Sequence, residues 1–130
     1  MNFGLSKSER LCSRTLIERL YAEGHRLMAF PYSVHWQLQP SSNVLCQVLI
    51  TTSKRKFKHA VDRNRVKRLT RECYRLRKPA FYEFLNAHGI SITLSLNYIH
   101  TDLLEYGHLE TKFDKLMSAL QHDIEESLVQ

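Results

Sequence analysis

The stretch VLCQVLITTSKRKFKHAVDRNRVKRLTRECYRLRK, residues 44–78, decides the fold. Its first nine residues, Val44 to Thr52, are β-branched and mostly apolar, the composition of a strand. From about His59 to Lys78 the apolar residues change period. Turning about 100° per residue, Val66, Leu69, Cys73 and Leu76 share one side of a helix. Asn64, Lys67, Arg68, Arg71, Arg75 and Lys78 gather on the opposite side, with Arg63 and Arg65 at its flanks. One element is therefore half core and half cationic ridge. Residues 54–78 hold twelve Lys or Arg against Asp62 and Glu72, a net of +10, whereas the whole chain carries +6. The remainder is thus mildly acidic at −4. Charge segregated in this way suits a polyanion, because each phosphate neutralised releases condensed counterions. A merely solvated basic helix would instead carry glutamates four residues from its cations, and this helix contains only Glu72.

Working outward toward the N-terminus, Phe30 to Leu38 alternates in part, with Tyr32, Val34, Trp36 and Leu38 on one side. Pro40 to Asn43 makes a turn, and a hairpin between this strand and Val44–Thr52 is expected. Before it, an opening helix over about residues 13 to 23 is started by Ser13 or by the capping box Thr15-x-x-Glu18 and stopped by Gly24. Leu16, Ile17, Leu20 and Tyr21 form its apolar face. An earlier box, Ser6-x-x-Glu9, caps one short turn. Beyond the basic helix, Pro79 is expected to break it, with a short further helix from Ala80 to Ala87 ending at Gly89. Ile90 to Ile99 alternates closely and reads as a strand. Leu109, Phe113, Leu116, Leu120 and Ile124 mark a closing amphipathic helix to about Ser127. The order α-β-β-(β)-α-β-α, with Arg26 to Ala29 supplying a fourth strand, predicts an α+β, two-layer α/β sandwich.

At 130 residues the chain fits one domain, 1–130. No apolar run approaches the roughly 18 residues that span a bilayer, and Met1 to Arg10 is polar rather than signal-like, so a cytoplasmic protein is expected. The three cysteines, Cys12, Cys46 and Cys73, are widely spaced and odd in number. They read as three buried thiols rather than a zinc site or disulfide framework.

Catalytic signals are missing. The four glycines, at 4, 24, 89 and 107, allow neither a P-loop nor a dinucleotide fingerprint. No His-Glu-x-x-His is present, and the acids scatter along the first and last helices instead of gathering around paired metals. Binding signals are stronger. Arginine offers a planar fork of donors for phosphate, and lysine adds a mobile point charge. Lys54, Arg55, Lys56 and Lys58 extend the ridge into the preceding loop. Among the aromatics that could stack on bases, Tyr21 and Phe57 stand out from Tyr32, Trp36 and Tyr74, with Trp36 read as core.

The run Lys58-His59-Ala60-Val61-Asp62-Arg63-Asn64-Arg65-Val66-Lys67-Arg68-Leu69-Thr70-Arg71-Glu72 closely resembles the signature of the bacterial ribonuclease P protein subunit family: Ala-Val, then Arg-Asn-Arg, Lys-Arg and Arg-Glu in one helix. Ser53-Lys54-Arg55 and the helix Ile17 to Gly24 are similar to the family's pattern as well, and the likeness runs from about residue 5 to 122. It implies a four-stranded sheet with a left-handed βαβ crossover, and a subunit that assists a catalytic RNA in removing the 5′ leader of precursor tRNA. Catalysis and Mg²⁺ are then held by the RNA, with no catalytic or metal-ligating residue in the protein. Arg63, Asn64, Arg65, Lys67, Arg68 and Arg71 match positions facing the catalytic RNA, and Arg75 lies on the same ridge. Tyr21, Lys54 and Arg55 match leader-side positions, in a cleft between the basic helix and the sheet, and Ile17, Lys56 and Phe57 lie beside them. The sequence departs from the family in two places. Ile17 replaces the first aromatic of the opening helix, leaving apolar contact only, and Lys56-Phe57-Lys58 replaces Val-Gly.

Overall fold

A computed structural model describes residues 5–53 and 55–129. A short 3-10 turn, Lys7–Glu9, is followed by α1 (Arg14–Glu23), β1 (His25–Ala29), β2 (Tyr32–Gln39), β3 (Cys46–Thr52), α2 (Ala60–Ala87), β4 (Ser91–Tyr98) and α3 (Tyr106–Leu128). The α+β class and the fourth strand near residue 26 are as expected. Ser13, not the Thr15 box, begins α1: its hydroxyl accepts from the Leu16 amide at 3.3 Å.

The expected hairpin between β2 and β3 does not form. The strands lie in the order β1-β2-β4-β3, so β4 separates the two. β1 and β2 form the hairpin instead, around Phe30-Pro31, with Met28 opposite Ser33 and Ala29 opposite Tyr32. β4 pairs antiparallel with β2 and parallel with β3. The reason lies in β4 itself, which is buried at every position but Asn97. A strand covered on both faces belongs in the middle of a sheet.

Registers fix which residues share a face. Tyr32, Val34 and Trp36 of β2 align with Tyr98, Leu96 and Leu94 of β4 and form the core with α2 and α3. The indole of Trp36 donates to Asp123 Oδ2 at 2.8 Å, tying α3 to the sheet. Leu38, read with this row, is 40% exposed at the strand end. The opposite face is polar: His35, Ser95, Thr93, Ser91 and Asn97. α1 lies on it alone, so the helices occupy both sides of the sheet. Each β4 side chain on this face has a partner. Ser95 meets Tyr21 Oη at 2.6 Å, Thr93 accepts from Gln39, Asn97 accepts from Thr51, and Ser91 accepts from the Ser42 amide.

Pro79 does not end the basic helix. α2 runs unbroken through it, although proline removes one i→i−4 hydrogen bond. Cys73 and Tyr74 before the proline and Phe81 and Leu85 after it are all fully buried, so packing on both sides outweighs the missing bond. The stop comes at Gly89, whose φ of 63° suits glycine. There the Ile90 amide donates to Leu85 O at 3.1 Å and the Gly89 amide to Asn86 O at 3.0 Å, a Schellman closure.

Residues 5–12 run beside β3. The Leu11 amide donates to Val48 O, and Arg10 bridges to Val48 in parallel fashion, covering part of this edge. Glu9 holds the segment to α2: it accepts from Tyr82 Oη at 2.6 Å and pairs with Lys78 Nζ at 2.9 Å. Burial pushes its carboxyl up, but the hydrogen bonds from Tyr82, Lys78 and Ser6 outweigh this and bring it down to about 2. A depressed carboxyl stabilises the fold above its unfolded value near 4.5 and loses that contribution as pH falls toward 2. Glu9→Gln should therefore lower stability at pH 7 by about 2 kcal/mol and flatten the loss between pH 5 and 2, as read from urea midpoints. An unchanged acid limb would reject this role.

Of the three thiols, Cys46 and Cys73 are buried but Cys12 is exposed. Cys12 follows the edge-covering segment and precedes the α1 cap, at the surface. Burial pushes the Cys46 thiol to about 12 and the Cys73 thiol to about 11, leaving both protonated.

Candidate nucleic-acid interface

The apolar side of α2 differs from the sequence reading. Val66, Thr70, Cys73 and Tyr74 are the buried residues, whereas Leu69 is half-buried and Leu76 is half exposed. Thr70 takes a place in the core because its hydroxyl meets Tyr32 Oη at 2.6 Å, a partner 38 residues away. The packed side is thus turned toward Thr70 and Tyr74, and Leu76 falls at its margin.

The ridge divides into two halves. In the first, Asn64, Arg65, Arg68 and Arg71 are exposed, spread over about 10 Å at 1.5 Å per residue. Among the described residues, Arg65, Arg68 and Arg71 have no ion pair. Lys67 is half-buried beside them. In the second half the cations are held. Arg75 Nε donates to Glu72 at 3.0 Å, and Lys78 is the partner of Glu9. Arg77 donates to Asp114 at 2.6 Å and to the Cys73 carbonyl, with its guanidinium over Phe113. Arg75, placed with the RNA-facing row by the sequence, is thus paired along the helix surface with Glu72.

Arg63 also turns inward: its Nη1 donates to both Phe57 O and Lys58 O at 2.8 Å, closing the loop that enters α2. Residues two apart lie on different sides of a helix, so Arg63 fastens the loop while Arg65 faces outward. Phe57, expected to stack on a base, is only 8% exposed and packs against Tyr98. It is a core anchor for the same loop. Tyr32, Trp36 and Tyr74 are fully buried. Lys56 donates to Ile99 O, joining the loop to the end of β4, and Arg55 is exposed. Lys54 lies outside the described residues.

Hollows flank the open half of the ridge. One, of about 430 Å³, lies between Lys56, Lys58, His59 and Arg65 on one side and Thr101–Leu103 on the other, with Asp62 and Asp102 also in its lining. Another, of about 190 Å³, brings Arg71 beside Arg10, where the N-terminal segment runs along β3. Arg10 was not legible as a site residue, because only the β3 edge pairing carries it there.

Tyr21 lies on the opposite face of the sheet from α2. Its hydroxyl meets Ser95, its ring meets His35 edge-on at 4.7 Å, and it stays 43% exposed. Ile17, one turn earlier, is half-buried. Burial, then the neighbouring Arg26 charge, lowers the basicity of His35 and favours its neutral form. The body of α2 is packed down on the sheet, with Val66, Thr70, Cys73 and Tyr74 sealed between them. The polar face of the sheet is on the α1 side, where Ser91, Thr93 and Ser95 are themselves buried and Tyr21 stays partly exposed, and core side chains fill the space between α2 and the sheet.

Among the described residues no three His, Cys, Asp or Glu side chains come together as a metal-ligand set. Among these residues no helix is long and apolar enough to cross a membrane.

A mixed four-stranded sheet with helices on both faces, one of them carrying an exposed arginine row, defines a small α+β protein. The ribonuclease P family model matches residues 5–121. The ribonuclease P protein component of Porphyromonas gingivalis strain W83 is 33% identical over 126 residues, 96% of this chain and 92% of that protein. The chain belongs to the ribonuclease P protein family, the protein components of a tRNA-processing endoribonuclease. Solved structures agree in fold. The Staphylococcus aureus ribonuclease P protein superposes with a TM-score of 0.66 at 19% identity, covering 88% of this chain and 96% of that one. The Thermotoga maritima protein gives 0.65 at 20%, covering 84% and 94%.

Proposed function

We propose that this chain is the protein subunit of ribonuclease P. In this reading it seats on the catalytic RNA through the outward half of α2 and receives the single-stranded 5′ leader of precursor tRNA on the α1 side of the sheet. The observation that carries the reading is the exposed row Arg65, Arg68 and Arg71, free of ion pairs among the described residues. Exposed guanidinium groups in line can follow successive phosphates and give salt-dependent affinity. Phosphodiester hydrolysis, and the Mg²⁺ it uses, would belong to the RNA. The protein would add affinity and screen repulsion where leader and catalytic RNA meet.

Tyr21 is the stacking platform in this reading, with Ile17 adding apolar contact. Two anchors fix the ring before a base arrives, which lowers the ordering cost on binding. Arg55 would contact the leader backbone from the loop after β3, as would Lys54, matched by resemblance. Tyr21→Ala should weaken binding of leader-bearing precursor by about 5- to 100-fold, the range of one stacked base, and leave mature tRNA unaffected. Equal effects on both RNAs in a filter-binding assay would remove the leader assignment.

The test of the whole reading is cleavage of precursor tRNA with catalytic RNA alone, protein alone, and both at reduced Mg²⁺. Only the mixture should process efficiently. Cleavage by protein alone would make it a protein-only nuclease. A mixture no better than RNA alone would leave a general RNA-binding protein.

A further inference from the structure

The β1–β2 tip carries a second constellation, which the ridge and Tyr21 do not use. Phe30 is 50% exposed and Met28 57% exposed, although both are large apolar side chains. The Phe30 ring meets His100 edge-on at 4.9 Å, and the Lys112 ammonium lies 5.8 Å from its centroid. Beside them is a groove of about 270 Å³ lined by Met28, Ala29, Phe30, Lys112, Lys115 and Ala119. Among the described residues, no carboxylate lines it.

The charge around this groove is sorted. α3 turns Asp114 and Glu110 toward Arg77 of α2, and presents Lys112 and Lys115 to the tip. Arg26, whose Nη2 approaches Met28 Sδ at 3.7 Å, adds a third cation from β1. An exposed aromatic among cations is the pairing that single-stranded nucleic acid uses, with bases on the ring and phosphates on the ammonium groups. A second copy docked by this same face would set its Lys112 and Lys115 near these two, so like charges oppose that occupant.

We propose that the β1–β2 tip is a second RNA-contact surface, where an unpaired nucleobase stacks on Phe30 and the neighbouring phosphates meet Lys112 and Lys115. β1 and β3 are opposite edges of the sheet, about 14 Å apart at the usual strand spacing. The tip therefore engages a different part of an RNA from the α2 ridge. The surface stands on its own residues and does not depend on the leader reading of Tyr21.

The experiment uses the full chain and a short, labelled, single-stranded polyadenylate. A photo-crosslinking phenylalanine analogue at position 30 should join the RNA, including when Arg68→Glu has weakened the ridge. Phe30→Ala should lower affinity about fivefold, the low end for a stacked base, and Phe30→Tyr should restore it. Lys112→Glu with Lys115→Glu should lower affinity and reduce its salt dependence. None of these four side chains is buried, so circular dichroism should report an unchanged fold. Absence of the crosslink with unchanged affinity in every variant would overturn the proposal. So would a concentration-dependent dimer in sedimentation that Phe30→Ala dissolves without affecting RNA binding.

Discussion

Reversing Arg65, Arg68 and Arg71 together to glutamate should weaken association with the catalytic RNA at least about a hundredfold in 0.1 M salt, with little change in folding. The three side chains project from one half of α2 and have no ion pair among the described residues. Their removal takes cations from the RNA without orphaning a carboxylate in the protein. For every phosphate no longer neutralised, the log–log salt dependence should flatten by a little under one unit, so a drop of roughly 2–3 units is expected. Exposed substitutions of this kind shift stability by about 0.5 kcal/mol. Arg77 differs in kind: it joins α2 to α3 through Asp114 and the Cys73 carbonyl. Filter binding across a salt series, with thermal melts alongside, separates the two roles. If the triple variant bound the catalytic RNA with the parent's affinity and slope, the seat would lie elsewhere.

Gly24→Ala should cost about 2–3 kcal/mol and, in the proposed reading, damage leader recognition as well. A Cβ at this position would lie 2.4 Å from the Leu20 carbonyl oxygen and 3.0 Å from both Leu20 Cδ1 and the Trp36 carbonyl oxygen. The closest of these, the Leu20 carbonyl oxygen, belongs to the last turn of α1 itself and the Trp36 oxygen to β2, so the new methyl can be accommodated only by reshaping the end of α1 against the strand. Leu20, fully buried beneath the helix, and the Tyr21–Ser95 bond would move with it. The expected result is a lower urea midpoint together with weaker binding of leader-bearing precursor, in contrast to the binding-only effect of Tyr21→Ala. A variant as stable as the parent would mean that helix and strand tolerate a wider separation.

Gly24 shows how far the sequence can be read. As a helix stop it is visible in the chain, but its closeness to β2 exists only once the sheet has formed. The elements were legible for the same local reasons: Ser13 and Gly24 bound α1, alternation marks β4, and the period of residues 59–78 marks α2. What local pattern misses is who neighbours whom. The β2–β3 hairpin was a fair expectation from proximity, and it failed because β4 needs cover on both sides. Thr70 displaced Leu76 from the packed face through a hydroxyl partner on β2, and Pro79 was carried through by buried residues on either side.

The ridge followed the same rule. Its axis was readable from spacing, but which cations stay open was not, because Glu9 and Asp114 come from distant parts of the chain to hold Lys78 and Arg77. Phe57 and Arg63 were similarly taken into the loop that launches α2. The cations left open among the described residues, Arg65, Arg68 and Arg71, form a narrower row than the charge count suggested.

The place of β4 also bears on synthesis. The strand that joins both halves of the sheet is the last of the four to be made, so a nascent chain ending near residue 90 holds one hairpin and one strand–helix unit with no strand to link them. Until residues 91–98 are available, the β2 and β3 edges that β4 joins have no strand between them, so the sheet can be completed only by the strand made last.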